Sequence, residues 1–219
     1  LGEGQDWLLL TRGGNAITVA GIELLLGSSG GDTIDLAGAV DGMVLRLGTG
    51  SDVLRLAPGD NRVIVADAER IEGNSGDDIV VLSRVAAGAV IDLGAGDDRV
   101  VLGPGANALR LLGVETVQGS RGNDQVFLDG PSATVTVALG DGYDMLTLGD
   151  AGFIVQVAGV DRVRGGAGGP WRRADGSRRR DSGSARRPER HRLRTPHLRC
   201  GPHGPRPSRR CAAARSEGQ

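Results

Sequence analysis

The sequence predicts an all-β chain: a parallel β-roll, or β-solenoid, of stacked Gly-x-Asp turns with a disordered C-terminal tail. Three observations predict it. A ten-residue motif recurs at a fixed spacing of 46 residues without insertion or deletion. A short aliphatic run of period two follows each copy. Aromatic residues make up only 2% of the chain, so a core has to come from Val, Leu and Ile.

The motif forms two interleaved series. LGEGQDWLLL begins at Leu1, LGTGSDVLRL at Leu47, LGAGDDRVVL at Leu93 and LGDGYDMLTL at Leu139. GSSGGDTIDL begins at Gly27, GNSGDDIVVL at Gly73 and GSRGNDQVFL at Gly119, with a degenerate member at Gly165. In the seven complete copies the fourth residue is always glycine: Gly4, Gly30, Gly50, Gly76, Gly96, Gly122 and Gly142. The sixth is always aspartate: Asp6, Asp32, Asp52, Asp78, Asp98, Asp124 and Asp144. The eighth is aliphatic and the tenth is Leu, so each copy reads as a glycine turn ending in Asp, then a strand whose alternate residues face inward. The residues between them are solvent-facing where polar (Asp35, Arg55, Thr147). Where apolar (Val81, Val101, Phe127) they are expected to face another part of the molecule.

After each glycine-initial copy a turn and a return strand follow, as at Gly38 to Gly42 and Met43 to Leu47; Ala89 to Leu93 and Val135 to Leu139 repeat the pattern. The two series are offset by 20 and 26 residues, which predicts alternating coils of those lengths, each with two strands. Successive Asp turns would then stack along one edge about 4.8 Å apart. The opposite edge would be made of unrelated turns such as Pro58-Gly59-Asp60-Asn61 and Pro104-Gly105-Ala106-Asn107. The longer coil carries an acid at a fixed place (Glu23, Glu69, Glu115, Asp161), read as a solvated strand-edge charge in preference to a ligand.

Seven carboxylates stacked in one row repel one another unless a hard cation lies between them. Calcium accepts six to eight oxygen ligands in flexible geometry, and glycine turns let backbone carbonyls converge. A single row of seven turns leaves six gaps, hence up to six ions.

These residues resemble the nonapeptide G-G-x-G-x-D-x-U-x of the RTX, or hemolysin-type, calcium-binding proteins, over residues 1 to about 168. The resemblance implies Ca2+ as cofactor. It implies that the ions lie between consecutive turns, held by the seven aspartates and by the turn backbone at the seven fourth-position glycines. It also implies export through a type I secretion machinery and an extracellular or cell-surface location. The opening Gly-Gly pair is never intact, because Leu1, Leu47, Leu93 and Leu139 replace the first glycine, and Ser28, Asn74 and Ser120 the second. Some sites are therefore expected to be weak or empty, and all of them to lie in a single row. The adjacent acids Asp77, Asp97 and Asp141 fit either a gain in affinity or mere solubility. Trp7 and Tyr143 fall at outward or turn positions.

Charge divides the chain. Residues 1–168 carry 23 acids against 11 Arg, a net of −12, whereas 169–219 carry 4 acids against 15 Arg, a net of +11. There is no Lys, and all His (His191, His197, His203) and Cys (Cys200, Cys211) lie in the tail. Cys200, His203 and Cys211 match no zinc spacing. The abrupt change in mid-motif and the Arg, Gly, Pro and Ala bias fit out-of-frame translation better than a genuine disordered tail or a nucleic-acid-binding one. The first residue is Leu1 and falls within the motif, so the chain reads as a fragment of a longer protein. No stretch approaches the roughly 20 apolar residues of a membrane span.

Residues 1–168 contain no His and no nucleophile–base pair, so no catalysis is expected there. The expected function is calcium binding by a module that folds on taking up the ion. Two alternatives stand beside it: a metal-independent spacer or adhesin stalk, and the secretion or regulatory segment of an extracellular hydrolase whose catalytic domain is absent.

Overall fold

The structure is a computed structural model and describes residues 4–130, 134–166 and 172–173. The chain divides into two units, Leu1–Ser184 and Ala185–Gln219. The second unit, and with it most of the basic tail including its His and Cys, lies outside the described residues.

Every described element is a strand. The first five are β1 (Trp7–Leu9), β2 (Ala16–Val19), β3 (Leu24–Ser29), β4 (Thr33–Leu36) and β5 (Asp41–Thr49). The pattern repeats as β6 (Val53–Arg55), β7 (Arg62–Ala66), β8 (Arg70–Ser75), β9 (Ile79–Leu82) and β10 (Ala87–Ala95). It repeats again as β11 (Arg99–Val101), β12 (Ala108–Leu112), β13 (Thr116–Gln118), β14 (Gln125–Asp129) and β15 (Thr134–Ala138). Then come β16 (Met145–Leu148), β17 (Ile154–Ala158), β18 (Arg162–Arg164) and β19 (Arg172–Arg173). Odd strands form one ten-stranded sheet and even strands one nine-stranded sheet, in chain order. All pairings are parallel, as in β5 with β7 and β10 with β12. The expected β-solenoid is the observed fold, and strand pairing continues past residue 168 to β19.

The coils differ from the expected ones. From β1 to β18 the register steps are 17 or 20 residues outside the two bulges, as in Leu8↔Leu25 and Leu25↔Leu45 on one sheet, and Leu54↔Ile71 and Ile71↔Ile91 on the other. A repeat of 46 residues therefore holds five strands, or two and a half coils. The strands overlooked in the sequence are those without a preceding Gly-x-Asp, such as β2, β7 and β12. Because five is odd, each repeat hands its motif to the opposite sheet: Asp6 precedes β1, Asp52 precedes β6, Asp98 precedes β11 and Asp144 precedes β16.

Between the sheets runs the aliphatic ladder. Ile34, Leu54, Val80, Val100 and Leu146 at the eighth motif position are fully buried, and the tenth-position leucines from Leu10 to Leu148 are buried as well. Leu25, Leu45, Ile71, Ile91 and Leu111 complete it from the strands between motifs. Each such side chain contributes about 1.5–3 kcal/mol of burial.

The intervening residues face outward. Asp35, Arg55 and Glu72 stand side by side on β4, β6 and β8, and Arg55 bridges both acids at 3.2 and 2.8 Å. Val81 and Val101 continue an outer row with Ile64 and Val44 on the odd sheet. Phe127 lies on the outer face of the even sheet, with the Arg110 guanidinium 5.4 Å from its ring centre. These apolar residues are half-buried, and the strands that carry them contact only their neighbours in the same sheet among the described strands. Trp7 and Tyr143 are exposed, as expected. No helix among the described residues is long and apolar enough to cross a membrane.

Candidate functional site

Parallel stacking places a turn of one coil directly over the turn of the next. Its backbone N–H groups can therefore donate to a side chain one coil further on. The aspartates use this geometry. The N–H of Asp32 donates to Asp52 Oδ1 at 2.7 Å, that of Asp78 to Asp98 Oδ1 at 2.8 Å, and that of Asp124 to Asp144 Oδ1 at 2.8 Å. Each pair sits on adjacent coils of one edge. Asp32 and Asp52 lie on the edge leading into even strands, Asp78 and Asp98 on the edge leading into odd strands, and Asp124 and Asp144 again on the even edge.

The seven aspartates thus do not form one row. The half-coil surplus of each repeat divides them into three pairs on alternating edges, with Asp6 alone at the start of the odd edge. The six gaps expected between seven consecutive turns reduce to three.

Each pair is the middle of a longer ladder. Above it lies an asparagine. The N–H and Nδ2 of Asn61 both donate to Asp78 Oδ1 at 2.9 Å, while Nδ2 also holds the carbonyls of Ala57 and Gly59 in its own turn. Asn107 does the same for Asp124, and Asn15 for Asp32. Below the pair lies the fixed acid. The N–H of Asp52 donates to Glu69 Oε2, that of Asp98 to Glu115 Oε2 and that of Asp144 to Asp161 Oδ2, at 2.8–2.9 Å. Asp6 donates likewise to Glu23 Oε2 at 2.6 Å. The repeating ladder is Asn, Asp, Asp, acid.

Two sequence readings are corrected here. The turns ending in Asn61 and Asn107 are not unrelated turns on an opposite edge, because each caps the ladder of its own edge. The fixed acids are more than solvated strand-edge charges: Glu23, Glu69 and Asp161 are exposed as expected, but each carboxylate also takes the N–H of an aspartate one coil earlier. Both were legible as variants of one signal: Gly13, Gly59 and Gly105 stand two residues before the asparagines as the motif glycines stand before the aspartates. Gly21, Gly113 and Gly159 stand likewise before the acids, with φ near +60°. At the fourth such position Asp67 holds φ 60° and is the one described non-glycine with positive φ.

The motif glycines let the turns stack this closely. Gly30, Gly76 and Gly122 have φ between 114° and 133°. A methyl group on Gly50 would lie 2.5 Å from the carbonyl oxygen of Gly30, and on Gly96 or Gly142 2.1 Å from that of Gly76 or Gly122. The carbonyl of each first turn therefore points into a cradle that only the glycine of the second turn leaves open.

The carboxylates are left with an electrostatic problem. Asp32, Asp52, Asp78, Asp98, Asp124 and Asp144 are fully buried. In all seven aspartates Oδ1 or its ladder neighbour supplies the coil-to-coil bond, while Oδ2 is buried without a hydrogen-bond partner. Desolvation, the largest cause, raises the pKa of Asp52, Asp78, Asp98 and Asp144, and neighbouring carboxylates add to it. Asp98 reaches about 6, with Asp78, Glu115 and Asp77 repelling it. A buried anion with one orphaned oxygen is costly unless a proton or a cation offsets it.

The donors fit a hard divalent cation in kind: two carboxylates per pair, an orphaned oxygen on each, and glycine-turn carbonyls. Among the described residues no three His, Cys, Asp or Glu side chains converge as a metal-holding group. A cation would accordingly depend on backbone oxygens for most of its ligands. Comparison with protein-family models, curated proteins and solved structures returns no match.

Proposed function

We propose that the solenoid is a calcium-responsive folding module of a secreted or cell-surface protein, with ions held at the three paired turns. Asp32 with Asp52, Asp78 with Asp98, and Asp124 with Asp144 would hold them, together with carbonyls of the turns at Gly30, Gly50, Gly76, Gly96, Gly122 and Gly142. The bound ion supplies positive charge and replaces the missing partner of the buried carboxylate oxygens. The observation that carries this reading is the orphaned, buried Oδ2 on every motif aspartate. The RTX resemblance of the motif supports it independently of the fold.

Without the ion, the acidic coils repel, and binding energy becomes folding energy. Such a module suits export in an extended state from a low-calcium compartment through a type I secretion machinery, followed by folding where calcium is plentiful. Circular dichroism of the full chain in chelator and during calcium addition tests the reading. It requires a calcium-dependent gain of β signal or thermal stability, and an identical, fully folded spectrum and melting temperature in chelator would overturn it.

One observation favours a second reading, a metal-independent spacer. The Oδ1 atoms already close the ladder between coils without any ion. That reading predicts the identical spectra and melting temperatures just described.

A further inference from the structure

The three ladders share their inner residues but differ in the residue that precedes each one. In the first ladder these are Gly14, Gly31 and Ser51; in the third, Ala106, Asn123 and Tyr143. In the middle ladder all three are carboxylates: Asp60, Asp77 and Asp97.

These acids form a row of their own. The N–H of Asp77 donates to Asp60 Oδ1 and that of Asp97 to Asp77 Oδ1, both at 2.9 Å, so the outer carboxylates climb the odd edge in step with the buried ones. The row also reaches the cradle between the paired turns. A methyl group on Gly96 would meet Asp77 Oδ1 at 3.3 Å as well as the Gly76 carbonyl at 2.1 Å. At the equivalent place in the first ladder, Gly50, the nearest neighbours are backbone atoms alone. In the third, at Gly142, the oxygens met are the Gly122 carbonyl and Oδ1 of Asp144 itself. Among these nearest atoms, only those at Gly96 include a carboxylate oxygen from outside the buried pair. The fully buried Asp78 and Asp98 flank that cradle, each with Oδ2 unpartnered.

We infer that the three cation sites are unequal, and that the turn pair at Asp78 and Asp98, supplemented by Asp77 and its outer neighbours, takes up a hard divalent cation first. This rests on the calcium reading above and ranks its sites. Added formal charge at this distance acts on a divalent ion directly, and the outer acids are exposed enough for salt to screen part of the gain.

Calorimetric titration of the full chain with calcium chloride tests the ranking. The wild type is expected to show one tight class and a weaker class of two. Asp77→Asn with Asp97→Asn keeps the amide oxygen of residue 77 as acceptor for the N–H of residue 97, and is expected to weaken the tight class on the order of tenfold at low salt. Asp92→Asn, on an outer face, is the charge control and should leave the tight class unchanged. A tight class that survives Asp77→Asn with Asp97→Asn unaltered overturns the ranking while leaving calcium binding intact. So does one that is lost in Asp124→Asn with Asp144→Asn but kept in Asp78→Asn with Asp98→Asn. A wild type that takes up no calcium overturns the underlying reading itself. Because the outer substitutions leave the buried ladder untouched, the test does not depend on how the Asp78 and Asp98 variants fold.

Discussion

The walls of the solenoid and its edges solve the same stacking problem with opposite chemistry. Along the walls, Leu45, Ile71, Ile91 and their neighbours are buried with nothing but apolar contact. Along the edges, Asn61, Asp78 and Asp98 are buried to the same degree but bonded coil to coil through single oxygens. Apolar burial is non-directional and tolerates a shift in register, whereas the ladder is satisfied only when one turn sits squarely over the next. The walls supply most of the stability; the edges fix the register, make it depend on pH and, on the calcium reading proposed above, would make it depend on cations.

The largest effect is expected in the walls. Leu45→Ala or Ile91→Ala should cost about 3 kcal/mol by denaturant unfolding. The loss should be the same in calcium and in chelator, and an ion-dependent loss would blur the distinction between wall and edge. Next comes Asp78→Ala, which strands the two donors of Asn61 and should cost about 2 kcal/mol in chelator. On the calcium reading the loss should grow in calcium, because the proposed cation site would go with it.

Proton binding sharpens the comparison on the edge alone. Folding raises Asp98 from 3.8 to about 6, and raises Asp52, Asp78 and Asp144 as well. The ion-free folded chain therefore binds more protons than the unfolded one in this window. Its stabilising share is complete below the ordinary carboxylate range and is lost as pH rises through about 6. In chelator the melting temperature should climb as pH falls from 7 to 5, and saturating calcium should flatten that slope. A melting temperature in chelator that falls over the same interval would refute the burial account of these aspartates.

Smaller effects mark the margins. Asp67→Ala should cost about 1 kcal/mol, because alanine tolerates its φ of 60° poorly, while Asp67→Gly should be close to neutral. Arg55→Ala removes only exposed ion pairs to Asp35 and Glu72 and should change stability by less than about 0.5 kcal/mol.

Much of this was legible in the sequence because Asp32, Asp52 and the other motif residues recur without drift, and because Leu36, Leu56 and Leu82 keep the period of a strand. The solenoid, the inward ladder and the return strands at β5 and β10 follow from those alone. The alternation of edges does not. It depends on whether a repeat holds four strands or five, and the fifth is announced by Asn15, Asn61 and Asn107 instead of aspartate. Reading Gly-x-Asn as the amide form of the same turn would have revealed it. The capping role of Glu69 and Glu115 was hidden for a related reason: their partners are backbone N–H groups 17 residues earlier, a contact that exists only once the coil length is known.

The central claim is that calcium occupies paired turns on alternating edges, and ion stoichiometry tests it most directly. Native mass spectrometry of the full chain at saturating calcium should find three specifically bound ions, falling to two in Asp78→Asn with Asp98→Asn. Six ions, as a single uninterrupted row would hold, or none at all, would contradict it.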